Sequence, residues 1–198
     1  MPEILNSITV LSGVFLAAYL LGSVPFGMVV ARLMGLGNLR EIGSGNIGAT
    51  NVLRTGSKGA ALATLLLDAG KGAVAVLLAR WYFGEDAAQF AALGAFLGHL
   101  FPIYLKFKGG KGMAVFLGIM LALNFWAGLA ACLTWLVIAL IFRMSSLSAL
   151  VASASTPIWL YFLGMPSALV LGVTFAILVW IRHYENIMRL LTGTESKI

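Results

Sequence analysis

Charged residues are scarce in this chain and cysteine is all but absent. Only 10% of the 198 residues are Asp, Glu, Lys or Arg, while 61% are apolar. Soluble domains run at about 25% charged and about 45–50% apolar, so a core of this size cannot hide so much apolar surface. The chain reads as an all-α integral membrane protein. One helical span takes about 20 residues, so seven take about 140 and leave roughly 58 for every loop and both ends. That excludes a separate soluble domain and leaves the chemistry to short loops and helix ends. Cys132 stands alone in an apolar run, which rules out an internal disulfide or a thiolate metal site and fits a small buried hydrophobe. Met1-Pro2-Glu3 lacks the basic start of a cleaved leader, so none is expected.

Several catalytic signatures are also missing. No pair or triad of acids falls in the basic loops, which argues against metal-assisted phosphatidyl transfer; no metal and no cofactor is expected. Tyr104 stands five residues after His99 and Met188 five after His183, so neither histidine opens the His-x4-Asp pair of soluble-type acyltransferases. No G-x-S-x-G elbow is present.

What is there is a series of apolar runs. They cover about residues 4–34, 60–83, 87–105, 112–123, 126–142, 147–163 and 167–182, a single polytopic domain over 1–198. The stretch 113–142 is ambiguous on length, since about 30 residues give roughly 45 Å of helix, too long for one upright span and too short for two full ones. The positive-inside rule decides: Lys106, Lys108 and Lys111 precede it and Arg143 follows, so the chain crosses twice with a turn near Asn124. With the N-terminus outside and the C-terminus cytoplasmic, eleven of the 13 basic residues face inward, all but Arg80 and Lys71. The net charge of +6 is then mostly a topology signal, and nucleic-acid binding is excluded as the reading; such a surplus still attracts anionic lipids or substrates.

Polar residues gather in four clusters on that inner face. The first, Gly43-Ser44-Gly45-Asn46-Ile47-Gly48-Ala49-Thr50-Asn51 with Arg54, matches the dinucleotide pattern G-x-G-x-x-G. That pattern requires a preceding buried strand, and Asn38-Leu39-Arg40-Glu41 is none. The backbone physics survives: glycines let N–H groups converge on an anion, hydroxyls and amides add donors, and Arg54 grips two phosphate oxygens. The second cluster, Lys106 to Gly112, is no Walker loop, yet Gly109, Gly110, Lys111 and Gly112 open a helix whose N-terminus, with Lys108, suits a phosphate. The third is Arg182-His183-Tyr184-Glu185-Asn186, where His183 either caps a helix or binds phosphate or a proton. The fourth, Arg143 to Ser148, offers the Ser146 hydroxyl to a phosphate or to a helix cap. Within the spans, Asp68 and Lys71 share a helix face as either a structural ion pair or part of the site, and His99 beside Pro102 is equally open.

Gly43-Ser-Gly-Asn-Ile-Gly-Ala-Thr-Asn51, Lys106-Phe-Lys-Gly-Gly-Lys-Gly-Met-Ala114 and His183-Tyr-Glu-Asn-Ile187, in this order and spacing, resemble the three cytoplasmic motifs of the bacterial acyl-phosphate:glycerol-3-phosphate acyltransferases, the PlsY family. The likeness extends through Leu21-Gly-Ser-Val-Pro-Phe-Gly27 and Gly98-His99. Ile47 stands where the family often has Pro and Tyr184 where Arg is common, both beside the polar positions rather than at them. The resemblance implies seven spans in the bacterial cytoplasmic (inner) membrane, a cytoplasmic site, and acyl transfer from acyl-phosphate to the sn-1 hydroxyl of glycerol 3-phosphate, giving lysophosphatidic acid and phosphate. It implies a catalytic set of Arg54, Lys111, His183 and Asn186. Ser44, Gly45, Asn46, Gly48, Ala49, Thr50 and Asn51 would form one wall; Lys108, Gly109, Gly110 and Gly112, where the family's glycerol 3-phosphate site is usually placed, would form another, with Ser146. Expected partners are the two substrates, membrane lipid and the enzyme that forms the acyl phosphate; the chain is expected to be a monomer. The competing class is a transporter of a small organic phosphate, disfavoured because polar residues crowd one side whereas alternating access needs a midplane site.

Overall fold

The computed structural model describes residues 2–198. Ten α-helices and two short 3-10 turns make up the regular structure, with no strand among the described residues. The expected first run is broken: α1 (Ile8–Gly22) and α2 (Phe26–Leu33) are separated at Ser23–Pro25. Pro25 has no N–H to continue the ladder and pushes the residue before it out of helical geometry. The Val24 carbonyl freed by the break accepts from Lys71 Nζ at 2.7 Å. The rest are α3 (Ala49–Leu53), α4 (Lys58–Phe83), α5 (Glu85–Leu100), α6 (Met113–Leu123), α7 (Phe125–Phe142), α8 (Ser145–Phe162), α9 (Leu169–Arg182) and α10 (Tyr184–Leu191).

Four stretches are long and apolar enough to cross a membrane: Ile8–Leu33, Lys58–Phe83, Glu85–Leu105 and Phe125–Phe142. The pair Pro166–Arg182 and Tyr184–Leu191, bent by 65°, makes a fifth if it counts as one span. Helix α6, with 11 residues, reaches about 16 Å, half the hydrocarbon thickness. Large apolar side chains point outward, among them Leu66, Leu78, Leu140 and Ile177, all more than half exposed. A water-soluble surface does not carry such a coat, whereas a lipid-facing one does.

Between helices in lipid, close backbone contact replaces the hydrophobic drive. Helices α1 and α5 touch through glycine: a Cβ on Gly98 would lie 2.2 Å from the Tyr19 carbonyl oxygen, and one on Gly94 2.4 Å from that of Phe15. The centre is filled by the rings of Phe96, Phe116 and Phe175 from α5, α6 and α9, with Phe175 centroids 4.6 Å and 6.0 Å from the other two.

Hydrogen bonds define two ends of the bundle. At one, Asp86 accepts from the N–H groups of Leu5 and Asn6 at 2.9 Å each, Arg80 pairs with Glu85 at 2.9 Å and donates to the Leu123 carbonyl at 2.9 Å, and Asn124 donates to that of Leu163 at 3.0 Å. At the other lie the segments 34–57, 106–112, 143–145 and 183–198, joined by Arg40 to the Lys108 carbonyl and by Thr50 to Ser145 at 3.2 Å.

Segment 34–57 keeps its shape through one buried side chain. Asn51 Nδ2 donates to the carbonyls of Leu39 (3.0 Å) and Asn46 (2.8 Å), while its Oδ1 accepts from Ser44 N (3.0 Å) and Ser44 Oγ (3.3 Å). Gly43 turns beneath it with φ +53°, and a Cβ there would sit 2.7 Å from Asn51 Oδ1. Asn51→Asp keeps the acceptor and strips the two donors, leaving the Asn46 carbonyl unpaired, at about 1–3 kcal/mol, and the Leu39 carbonyl with only the long 3.4 Å bond from the Ile42 N–H. Hydrogen exchange across residues 43–54 should therefore accelerate by about tenfold or more while α4 and α5 stay protected; unchanged exchange would contradict this role for Asn51.

Candidate functional site

The four polar clusters and the chain's tail meet around one cavity of about 580 Å³. Ser44, Asn46, Gly48, Ala49, Thr50, Asn51 and Arg54 line it from the first cluster, Lys111 and Gly112 from the second, and His183 and Asn186 from the third. Asp68 and His99 reach it from within the bundle. Gly45, Lys71, Lys108, Gly109, Gly110 and Ser146 stand off the wall. Ser146 is one bond away, its hydroxyl donating to Glu195 at 2.7 Å.

The second cluster is arranged differently from its sequence reading. Lys108 is exposed, and Gly109 and Gly110 are buried. The Gly110 N–H is already spent on the His99 carbonyl at 3.2 Å. Arg182 donates to the carbonyls of Gly110 (3.1 Å) and Gly109 (3.2 Å). A Cβ on Gly109 would lie 2.2 Å from the His99 carbonyl oxygen, and one on Gly110 2.4 Å from His99 Nε2. The two glycines thus let the loop sit flat on the end of α5, and what faces the cavity is the Lys111 side chain and the start of α6. The N–H groups in that first turn carry about half a positive charge together.

Lys111 donates through Nζ to Asn186 Oδ1, and Asn186 Nδ2 donates to Glu195 Oε1 at 2.6 Å. Burial, with the Arg189 charge added, holds the Lys111 ammonium below its ordinary range against the pull of Glu185 and Glu195. His183 sits at the sharp corner between α9 and α10, 4% exposed, with Nδ1 2.8 Å from the Val179 carbonyl. A carbonyl only accepts, so Nδ1 carries the proton and Nε2 keeps a free lone pair. Burial, aided by the Lys111 charge, outweighs the Val179 contact and pushes this imidazole down to about 4. At neutral pH it is therefore an acceptor.

Beneath the loops, Asp68 and Lys71 form an ion pair of 2.7 Å with both side chains 1% exposed, and Lys71 Nζ lies 3.0 Å from His99 Nδ1. Lys71 is committed to Val24, Asp68 and His99, and so serves to hold the break between α1 and α2 against α4 and α5. Away from the loops, and apart from Asp68 and His99, the cavity wall is apolar, built by Ala61, Leu62, Leu65, Leu117 and Trp135 of α4, α6 and α7. Arg189, Glu195 and Arg40 were not singled out as site residues in the sequence. Each is an isolated charge outside a glycine motif, and only the fold shows what it reaches.

A family model described as glycerol-3-phosphate acyltransferase matches residues 12–193. The glycerol-3-phosphate acyltransferase of Dinoroseobacter shibae is 62% identical over 198 residues, all of this chain and 98% of that protein. That of Ruegeria sp. is 66% identical over 180 residues, 91% of this chain and 89% of the relative. The fold is similar to a crystal structure of PlsY, an integral membrane glycerol 3-phosphate acyltransferase, in its glycerol 3-phosphate form, with a TM-score of 0.90, 40% identity and 95% of each chain covered. The lysophosphatidic acid form matches with a TM-score of 0.87 and 38% identity, again over 95% of each chain. With matches of this extent joined to the three loop motifs around one cavity, the chain belongs to the PlsY family of glycerol-3-phosphate acyltransferases.

Proposed function

We propose that this protein moves a fatty acyl group from acyl phosphate to the sn-1 hydroxyl of glycerol 3-phosphate, releasing lysophosphatidic acid and phosphate at the cytoplasmic face of a seven-span bundle. The observation that carries the proposal is the two-sided cavity. Its polar end gathers Arg54, Lys111, Asn186 and Arg189, and its other wall is apolar and built from lipid-exposed helices. A phosphate-bearing substrate from water and an acyl chain from the bilayer meet in such a space. Seven crossings are supported by the alternation of hydrogen-bonded ends along the chain. An inside face for the loops is supported by their excess of Lys and Arg over the Asp86 and Glu85 end. That orientation leaves the N-terminus outside and the C-terminus cytoplasmic.

The chemistry follows from the groups present. Acyl phosphate is an activated mixed anhydride, so the glycerol hydroxyl oxygen attacks the acyl carbon, the bond from that carbon to the phosphate oxygen breaks, and phosphate departs. Among the described residues the His183 ring bonds only to the Val179 carbonyl, and no serine or threonine hydroxyl is hydrogen-bonded to it as an activated nucleophile would be. Direct transfer within a ternary complex is the reading this favours. Holding two anions and one hydroxyl in line removes much of the barrier. Lys111, Arg54, Arg189 and the α6 N-terminus hold the phosphate groups of both substrates and balance the charge gathering on the leaving one. His183 Nε2 accepts the hydroxyl's hydrogen bond and orients it. A group titrating at about 4 is a poor store for a proton at neutral pH, whereas the phosphate oxygen becomes strongly basic as its bond to the acyl carbon breaks, and takes the proton on departure.

Purified protein in detergent, given acyl phosphate and glycerol 3-phosphate, should form lysophosphatidic acid, and acyl-CoA should not replace the donor. Product from acyl-CoA alone would overturn the donor assignment. No product, together with uptake of labelled glycerol 3-phosphate into vesicles, would favour a transporter. Lys111→Ala should lower kcat by about 10²- to 10³-fold, the cost of removing one preorganised charge stabiliser, in protein of unchanged helix content.

His183 also predicts a pH dependence of stability. Its folded value of about 4 lies below the unfolded 6.5, so the unfolded chain binds the proton first. Stability is complete above pH 6.5 and falls as pH drops towards 4, by about 3 kcal/mol in all. Thermal unfolding in detergent should show this loss in the native protein and a markedly smaller one in His183→Gln; equal losses would refute the assignment.

A further inference from the structure

The tail beyond the last helix folds back over the cavity. Thr194 N donates to the Arg189 carbonyl at 2.8 Å and starts the return. Glu195 then presents its carboxylate to three donors: Ser146 Oγ at 2.7 Å and Asn186 Nδ2 at 2.6 Å reach Oε1, and Arg189 Nε reaches Oε2 at 2.7 Å. Ser196 Oγ accepts from Arg54 at 2.6 Å, and Ile198 N donates to the Arg143 carbonyl at 2.7 Å. The Glu195 side chain is only 5% exposed. The residues that match the family model end at 193, so this carboxylate lies two residues past them.

Arg54 and Arg189 are assigned above to phosphate, and Asn186 and Ser146 stand beside them. Ser146, Asn186, Arg189 and Arg54 come from three separate clusters, and the tail engages all of them at once. Lys111 is one bond further, through Asn186. Without an anion, cations held this close repel one another in a partly buried site. A resident carboxylate offsets that repulsion. Burial pushes Glu195 up, but the hydrogen bonds from Ser146, Asn186 and Arg189 hold it below the ordinary glutamate range, so it stays charged. A carboxylate and a phosphate cannot both take the same N–H and O–H groups.

We infer that Glu195 is an internal competitor for the substrate phosphate. Its carboxylate occupies the Ser146, Asn186 and Arg189 donors in the empty site and must leave before glycerol 3-phosphate binds, so it sets the apparent affinity for that substrate. The inference rests on the site proposed above. Affinity is reduced by the fraction of molecules whose site is open, and that fraction is governed here by one side chain. A phosphate dianion with three acceptor oxygens displaces the carboxylate on charge and valence; neutral glycerol has no means to do so.

Glu195→Gln tests it in the acyl-phosphate assay with glycerol 3-phosphate varied. We expect kcat/KM for glycerol 3-phosphate to rise several-fold through a lower KM, and inorganic phosphate to inhibit at several-fold lower concentration. An unchanged or lower kcat/KM would overturn the inference, because a side chain that only braces Asn186 and Arg189 loses activity when cut. Lys111→Ala in the same assay separates the two levels: if it keeps the native kcat/KM, the phosphate site itself is misplaced; if it loses activity while Glu195→Gln changes nothing, only the competitor role fails. A spin label at Lys197→Cys, in a Cys132→Ser background with Glu195 intact, gives a readout independent of Glu195 variants. Saturating inorganic phosphate should mobilise the label, and an immobile label in its presence would also refute the inference.

Discussion

A polar atom in hydrocarbon has to find its partner inside the protein, and that constraint shapes this chain from end to end. The Val24 carbonyl exposed by Pro25 is met by Lys71, whose charge is met in turn by Asp68. The Leu123 carbonyl at the end of a short helix is met by Arg80. Each pairing uses up a polar group within the fold, and the polar groups left over collect at one end. The cost of burying an unpaired carbonyl, about 2–7 kcal/mol, exceeds anything a loop gains by wandering, so loops at this depth are tied to each other by backbone partners. Arg40 on the Lys108 carbonyl and Arg182 on Gly109 and Gly110 are such ties.

The same constraint accounts for the site. Four segments far apart in the chain converge because each brings groups that the bilayer cannot hold. Their convergence leaves a cavity that is charged towards water and apolar towards lipid. A membrane bundle of 198 residues needs little more to join a lipid-borne acyl group to a water-borne acceptor, provided the donor is already activated. The catalytic demand falls on orientation and on balancing phosphate charge, tasks that Lys, Arg and a helix N-terminus perform without a nucleophile.

Much of this was legible in the residues. Long apolar runs give the helical character directly, and Ser44, Thr50, Arg54, Lys111, His183 and Asn186 stand out because a mostly apolar chain spends polar residues sparingly. The three motifs carried the family. Other features had no signature. Lys108, Gly109 and Gly110 read as an anion wall, yet the Gly110 N–H and both glycine carbonyls are taken by His99 and Arg182, and backbone partners leave no mark on composition. Asn51 read as a phosphate donor, while all four of its hydrogen bonds stay within its own loop. Glu195 is an isolated acid in a short tail, and only the return of the chain brings it to Ser146, Asn186 and Arg189.

Direct transfer, with both substrates held together and no acyl-enzyme, is the centre of this account. It is tested most directly by incubating the protein with acyl phosphate and labelled inorganic phosphate in the absence of glycerol 3-phosphate. Direct transfer predicts no label in the recovered acyl phosphate. Label entering at a rate comparable to turnover would reveal an acyl group parked on the protein and contradict the account.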